Sequence, residues 1–140
     1  MGPDAPAQPP TRRAQLYTAL GTGAVLAGGL AYIGVNDPHR PGSIFPPCPF
    51  HALTGWFCPG CGGLRMTHDL LHGDIAAAAV DNVFLLVALP AVLLWVWLRR
   101  RSRKPIWTTF SVVFLVVAAV VWTVVRNLPG FPLVPTVLGG

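Results

Sequence analysis

The residues able to do chemistry are gathered in one stretch of this 140-residue chain. All three cysteines (Cys48, Cys58, Cys61) and all four histidines (His39, His51, His68, His72) fall between positions 39 and 72. Cys58-Pro59-Gly60-Cys61-Gly62 has the form of a zinc knuckle. A two-residue spacer turns both sulfurs toward one ion, and the following glycine permits the positive φ that the turn needs. A closed tetrahedral site takes four ligands. Cys48 would supply the third and a histidine the fourth, with His51, His68 and His72 as candidates. No cofactor is expected from the sequence; zinc is the ion such a set would take if it bound one.

Two other chemistries fit the same residues. Cys48 could bond to Cys58 or Cys61 and close a loop of about a dozen residues, worth roughly 2–3 kcal/mol; one cysteine would then be left over. Alternatively, Cys58 and Cys61 could exchange disulfides with a partner, since a C-x-x-C at a helix start lowers a thiol pKa and Arg65 lies one turn on. Reduced, buried cysteines are the plain alternative to all three. His68-Asp69-Leu70-Leu71-His72 differs from the H-E-x-x-H helix of zinc proteases by Asp for Glu. The shorter acid would stand farther from an attacking water, so this string reads as the polar face of a short interfacial helix over residues 64–72. Arg65 is placed to pair with Asp69, four residues on, or with Asp74, or to meet a lipid phosphate. Trp56 and Phe57, with Phe45 and Phe50, read as an aromatic belt at the membrane interface.

The run from Cys48 to Asp74 resembles the signature of an uncharacterised family of small bacterial membrane proteins, defined only as a domain of unknown function. The pattern is a lone Cys-Pro, a Thr-Gly, a Cys-Pro-x-Cys-Gly, an Arg and a Leu-x-Gly-Asp entering a helix. Cys48, Thr54, Gly55, Cys58, Pro59, Cys61, Gly62, Arg65, Leu71, Gly73 and Asp74 match it, and the likeness runs from residue 47 to about 98. Leu64 stands where many relatives place Thr, and Val83 where an Asn-Pro break is common, which predicts an unbroken second long helix here. The resemblance implies residence in a bacterial membrane and brings no activity with it.

The elements that must hold this segment are legible from where charge is missing. Only 11% of residues are charged, ten basic and five acidic with no glutamate, against 53% hydrophobic; mean hydropathy is +0.57. A soluble surface uses about a quarter charged residues, and disorder needs the opposite balance, so both classes are excluded. Uncharged runs of 23, 17 and 21 residues separate Arg13 from Asp37, Asp81 from Arg99 and Lys104 from Arg126. As helices these measure roughly 34, 26 and 32 Å, against a hydrocarbon core of about 30 Å. The fold class is therefore an all-α integral membrane protein. Its three transmembrane helices are expected at 14–36, 81–98 (or from 75, with Asp74 as N-cap and Pro90 as a kink) and 106–125. A Cys/His-rich, partly interfacial segment, residues 37–80, lies between the first and second. Gly23, Ala27 and Ala31 line one face of the first helix with small side chains, a packing seam for another helix. Arg12-Arg13 before it resembles a twin-arginine signal, but the apolar run is too long, and an uncleaved anchor is expected.

Residues 1–13, with four prolines, are expected to be disordered, and residues 126–140 to form a Pro-rich tail along the interface. Arg12, Arg13 and the basic loop 99–105 put seven positive charges on one side of a three-span protein, against Arg40, Arg65 and Arg126 on the other. The positive side stays in the cytoplasm. The N-terminus is then cytoplasmic, and the Cys/His segment and C-terminus extracytoplasmic. The pI of 9.9 thus reflects topology, and no nucleic acid partner is expected. The expected partners are the bilayer and a membrane protein or further copies of the chain. With no intramembrane acid or base and no acid–base pair, the sequence leans away from an enzyme and toward a scaffold or accessory subunit.

Overall fold

The computed structural model of the chain describes residues 11–40 and 42–135. The expected disorder of 1–13 and the end of the expected tail therefore fall, for residues 1–10 and 136–140, outside the described residues. The described chain is all helical: α1 (Arg12–Val35), α2 (Pro49–Thr54), α3 (Gly63–Leu71), α4 (Ile75–Arg101) and α5 (Thr109–Arg126), with no strand among the described residues. It divides into two compact units, Met1–Tyr32 and Ile33–Gly140.

Helices α1, α4 and α5 are each long and apolar enough to cross a membrane, with mean hydropathies of 1.5, 2.2 and 2.2. Their exposed residues are those a soluble protein hides: Val25, Leu93 and Phe110 are 75%, 68% and 81% exposed. Apolar surface on this scale fits a lipid environment. Helix α1 has no acidic residue and no side-chain charge after Arg13, and it begins at Arg12, two residues before the uncharged run. Within the second unit, α5 runs back along α4. Phe84 stacks with Trp122 at 5.8 Å near one end, and Trp95 meets Trp107 edge-on at 6.4 Å near the other.

Capping explains the helix boundaries. The Asp74 carboxylate accepts from Ala77 N at 2.9 Å and opens α4. Thr108 and Ser111 form a reciprocal capping box at the start of α5, the arrangement that satisfies orphan N–H donors at a helix start. Helix α2 was not foreseen. It has proline in its first turn and Gly55 in the left-handed region at its end, the usual punctuation of a short helix. Helix α4 extends through Arg101, so three of the loop's basic residues, Arg99, Arg100 and Arg101, are helical. Arg99 and Arg101 lie over the Trp95 and Trp97 rings at 5.3 and 5.4 Å.

The expected unbroken second helix is corrected in one respect. Asn82 has φ −161° and ψ 80°, so α4 is kinked there. Among the described residues no other non-helical position interrupts α4, and Pro90 is accommodated inside it. The kink has a local cause. The Asn82 side chain is committed elsewhere: it donates to Pro59 O and Cys61 O and accepts from Leu85 N.

Candidate functional site

The buried interior is small and unusually polar. Among the described residues, Cys61, Met66, Ala78, Pro38 and Pro135 are the buried apolar members, and Asp69, Asp81, Asn82 and Arg126 are also buried. The polar members organise two neighbouring clusters.

The first is the cysteine turn. Cys48 precedes α2, and Cys58 and Cys61 form the turn before α3. The Sγ atoms of all three lie within 4.8 Å of one another. Cys58 and Cys61 are 3.0 Å apart, Cys48 and Cys58 3.5 Å, and none is bonded to another. The Cys58 N–H donates to Cys61 Sγ at 3.1 Å. Burial raises the Cys48 thiol, but N–H donation from His51 and Phe50 and hydrogen bonds from the other two cysteines outweigh it and hold Cys48 below the ordinary thiol range. Burial, together with hydrogen bonding to Cys58 and Cys48, pushes Cys61 up to about 12.

The backbone of this turn is held from two distant points. Arg126, 1% exposed at the end of α5, donates Nη1 to Cys61 O at 2.7 Å and to Cys58 O at 3.4 Å, and Nη2 to Asp81 O. Its guanidinium lies over the Phe57 and Trp122 rings at 5.7 and 5.6 Å. Asn82 Nδ2 donates to Pro59 O and Cys61 O, both at 3.0 Å. Asn127 closes a reciprocal pair with Phe57, accepting from its N–H at 2.9 Å and donating to its carbonyl at 3.0 Å. Gly62 is required twice over: φ is +81°, and a Cβ would sit 2.5 Å from Asp81 O and 3.1 Å from Pro135 Cβ. The tail through Pro135 thus returns to the cysteine turn, where the sequence reading placed it along the interface. Phe57 likewise stacks on His51, ring centroids 4.5 Å apart, and serves the turn.

The second cluster joins the loop after α1 to α3 and α4. His39 Nδ1 meets Asp37 Oδ1 at 3.1 Å, and its Nε2 meets Asp81 Oδ2 at 3.0 Å and Asp69 Oδ2 at 3.7 Å. His68 Nδ1 lies 3.6 Å from Asp69 Oδ1, and the His68 and His72 rings stack at 4.2 Å. Burial raises the Asp69 carboxyl, partly opposed by His39 and reinforced by the Asp81 carboxylate. The backbone N–H of His39 holds Asp37 below its ordinary value.

The candidate ligands therefore fall into two groups. Cys48, Cys58 and Cys61 come together, whereas His68 groups with Asp37 and His39, and His72 Nδ1 lies 2.8 Å from the His68 carbonyl oxygen. Arg65 donates Nε to Pro38 O at 3.3 Å, Asp74 caps α4, and Asp69 faces His39. Sequence reasoning missed Asp37, His39 and Asp81 as site residues, and Asn82, Arg126 and Asn127 as supports. The one signal available was that Asp37, Asp81 and Arg126 terminate the apolar runs at ends that a three-span topology places on the same side.

Residues 48–96 match the family model described as Protein of unknown function (DUF2752). The match covers about a third of the chain. It takes in the three cysteines, α2, α3, Asp69, Asp81 and Asn82, and leaves out Asp37, His39 and Arg126. No curated protein and no solved structure matches the chain.

Proposed function

We propose that this chain is a non-enzymatic multi-pass component of a bacterial cell membrane, a scaffold or accessory subunit. In this reading Cys48, Cys58 and Cys61 hold a zinc-type ion that sets the shape of a docking segment. The observation that carries it is the convergence of three unbonded sulfurs within 4.8 Å. Three thiolates are a fitting soft donor set for zinc, and a fourth position is left for a partner, water or His51. The Nδ1 of His51 is buried without a hydrogen-bond partner. A groove of 610 Å³ opens beside the cysteines, lined among others by Phe45, Phe57 and Arg65. A membrane-protein partner or a second copy would dock there. The charge asymmetry supports an extracytoplasmic position for this segment, with the N-terminus in the cytoplasm.

A second reading has an observation of its own. Cys58 and Cys61 stand 3.0 Å apart and Cys48 lies 3.5 Å from Cys58, with the Cys48 thiol held below its ordinary range by hydrogen bonds and Cys61 pushed up by burial. That arrangement suits thiol–disulfide exchange, in which two thiols here are oxidised to one disulfide as a partner's disulfide is reduced to two thiols. Elemental analysis of detergent-purified protein, paired with mass tagging of thiols under non-reducing conditions, separates the two. At least one zinc per chain with three reduced cysteines is the expected result. Metal-free protein carrying a disulfide would replace the first reading with the second. A membrane-impermeant cysteine label applied to intact cells checks the topology: single cysteines at positions 99–104 should stay protected.

A further inference from the structure

The second cluster has no role in that reading, and its hydrogen bonding does not close. Asp69 is 8% exposed and Asp81 2%. Asp69 Oδ2 is buried without a hydrogen-bond partner and is aimed at His39 Nε2, 3.7 Å away. An imidazole has two nitrogens, and in the neutral ring only one is a donor. If His39 donates Nδ1–H to Asp37, its bare Nε2 faces the Asp81 carboxylate at 3.0 Å, lone pair against lone pair. If Nε2 carries a proton, in the neutral Nε2–H tautomer or in the doubly protonated ring, it satisfies Asp81 and still leaves Asp69 Oδ2 orphaned. No state of the ring serves both carboxylates, and buried polar groups are almost always satisfied.

A cation between the three atoms serves all of them at once. His39 Nε2, Asp69 Oδ2 and Asp81 Oδ2 lie within 4.8 Å of one another. Ligands at about 2.1 Å from a tetrahedral ion stand roughly 3.4 Å apart, and the 3.0 and 3.7 Å separations from His39 Nε2 bracket that spacing. Asp37 completes the pattern. A carboxylate accepting from the far ring nitrogen of a metal-bound histidine is the usual orienting contact, fixing the tautomer with the ligating nitrogen bare. We infer that His39, Asp69 and Asp81 form a second metal site, distinct from the cysteines, for a divalent first-row transition-metal ion, with Asp37 as the residue that orients His39. Imidazole and carboxylate donors suit such ions better than they suit thiophilic ones. The site joins the loop after α1 to α3 and to the start of α4, so the ion ties three parts of the second unit together.

Cobalt(II) tests the inference, because thiolate ligation gives an intense charge-transfer absorption that nitrogen and oxygen ligands lack. Detergent-purified, chelator-stripped full-length protein is loaded with Co²⁺, and bound cobalt per chain is measured beside that absorption. Asp69→Asn should lose one cobalt per chain relative to the unaltered protein, with any thiolate absorption unchanged. Asp37→Asn should weaken Co²⁺ binding at that site by about 10–100-fold. Cobalt stoichiometry and affinity unchanged in both variants would overturn the site. If Asp69→Asn loses its helical signal, Asp37→Asn decides alone, since its side chain is one-third exposed. The readout is independent of the cysteine reading: absence of thiolate absorption would end that reading and leave the cobalt difference intact.

Discussion

Two clusters share one short segment of this protein, and they are held in different ways. At the cysteine turn the backbone carbonyls of Phe57, Cys58, Pro59 and Cys61 are taken up by Arg126, Asn82 and Asn127, and the buried atoms left without a partner there are the nitrogens His51 Nδ1 and Arg126 Nε. At the His39 cluster the scaffold is in place, but Asp69 Oδ2 and His68 Nδ1 are buried without hydrogen-bond partners. The contrast separates shape from occupancy. The turn's geometry is held by side chains from α4 and α5 whatever its sulfurs bind, whereas the acidic cluster brings together side-chain atoms that the inferred ion would join. Substitutions at the turn should therefore cost stability outright. Substitutions at the acidic cluster should depend on metal.

The largest effect is expected at Arg126. Removing its side chain strands Asp81 O and Cys58 O in a buried setting, at about 1–3 kcal/mol each. Arg126→Met should lower stability by about 3–5 kcal/mol, read as the midpoint of SDS-induced loss of helical signal from detergent-solubilised protein. Arg126→Lys should recover only part of this, because one ammonium cannot replicate the guanidinium's fork. A loss below about 1 kcal/mol in Arg126→Met would mean that the turn does not lean on α5.

Gly62 comes next. An alanine there meets both a left-handed backbone cost and the Asp81 carbonyl, and should destabilise by about 2–4 kcal/mol. Gly130 has the same φ of +81° with nothing within 4 Å of a Cβ, so Gly130→Ala isolates the backbone part at about 1 kcal/mol. Equal losses in the two variants would show that the approach of Asp81 O is not what demands glycine at Gly62. Asn82→Ala follows, with an expected loss of about 1–3 kcal/mol. It frees α4 to straighten, which amide exchange at Leu85 N should report as altered protection.

The difference between the clusters also explains what could be read from the chain. The spans were legible because lipid demands an apolar surface all round, and charge-free runs of 17 to 23 residues record that demand locally. The Cys58–Cys61 turn was legible for the same reason: its chemistry and its glycine lie within five consecutive residues. Helix α3 was expected over 64–72 because His68 and His72 are four apart and Gly73 follows, and it spans Gly63–Leu71. Helix α2 was written in Pro49 and Gly55, but six residues are too few for periodicity to speak. The supports could not be found this way. His39 and Asp81 are 42 positions apart, and Arg126 and Cys61 are 65 apart. Asp81 and Arg126 also had a sufficient local explanation as the charged ends of apolar runs.

The smallest effect tests the contrast by its sign. Asp69→Asn keeps the side chain's shape and removes a charge that burial disfavours and the Asp81 carboxylate repels. In chelator-stripped protein that removal should be neutral or stabilising by about 1 kcal/mol, since replacing an unmatched buried charge relieves its desolvation. With Co²⁺ added, the unaltered protein gains stability in proportion to RT ln(1 + [L]/Kd), and the variant should gain nothing from its vacated site. The two stability curves should therefore cross as metal is added. Arg126→Met should show no such crossing, because its deficit lies in carbonyls that no ion reaches. A stripped Asp69→Asn protein as destabilised as Asn82→Ala would mean that the carboxylate is a structural hydrogen-bond acceptor like those of the turn, and the distinction between the clusters would fail.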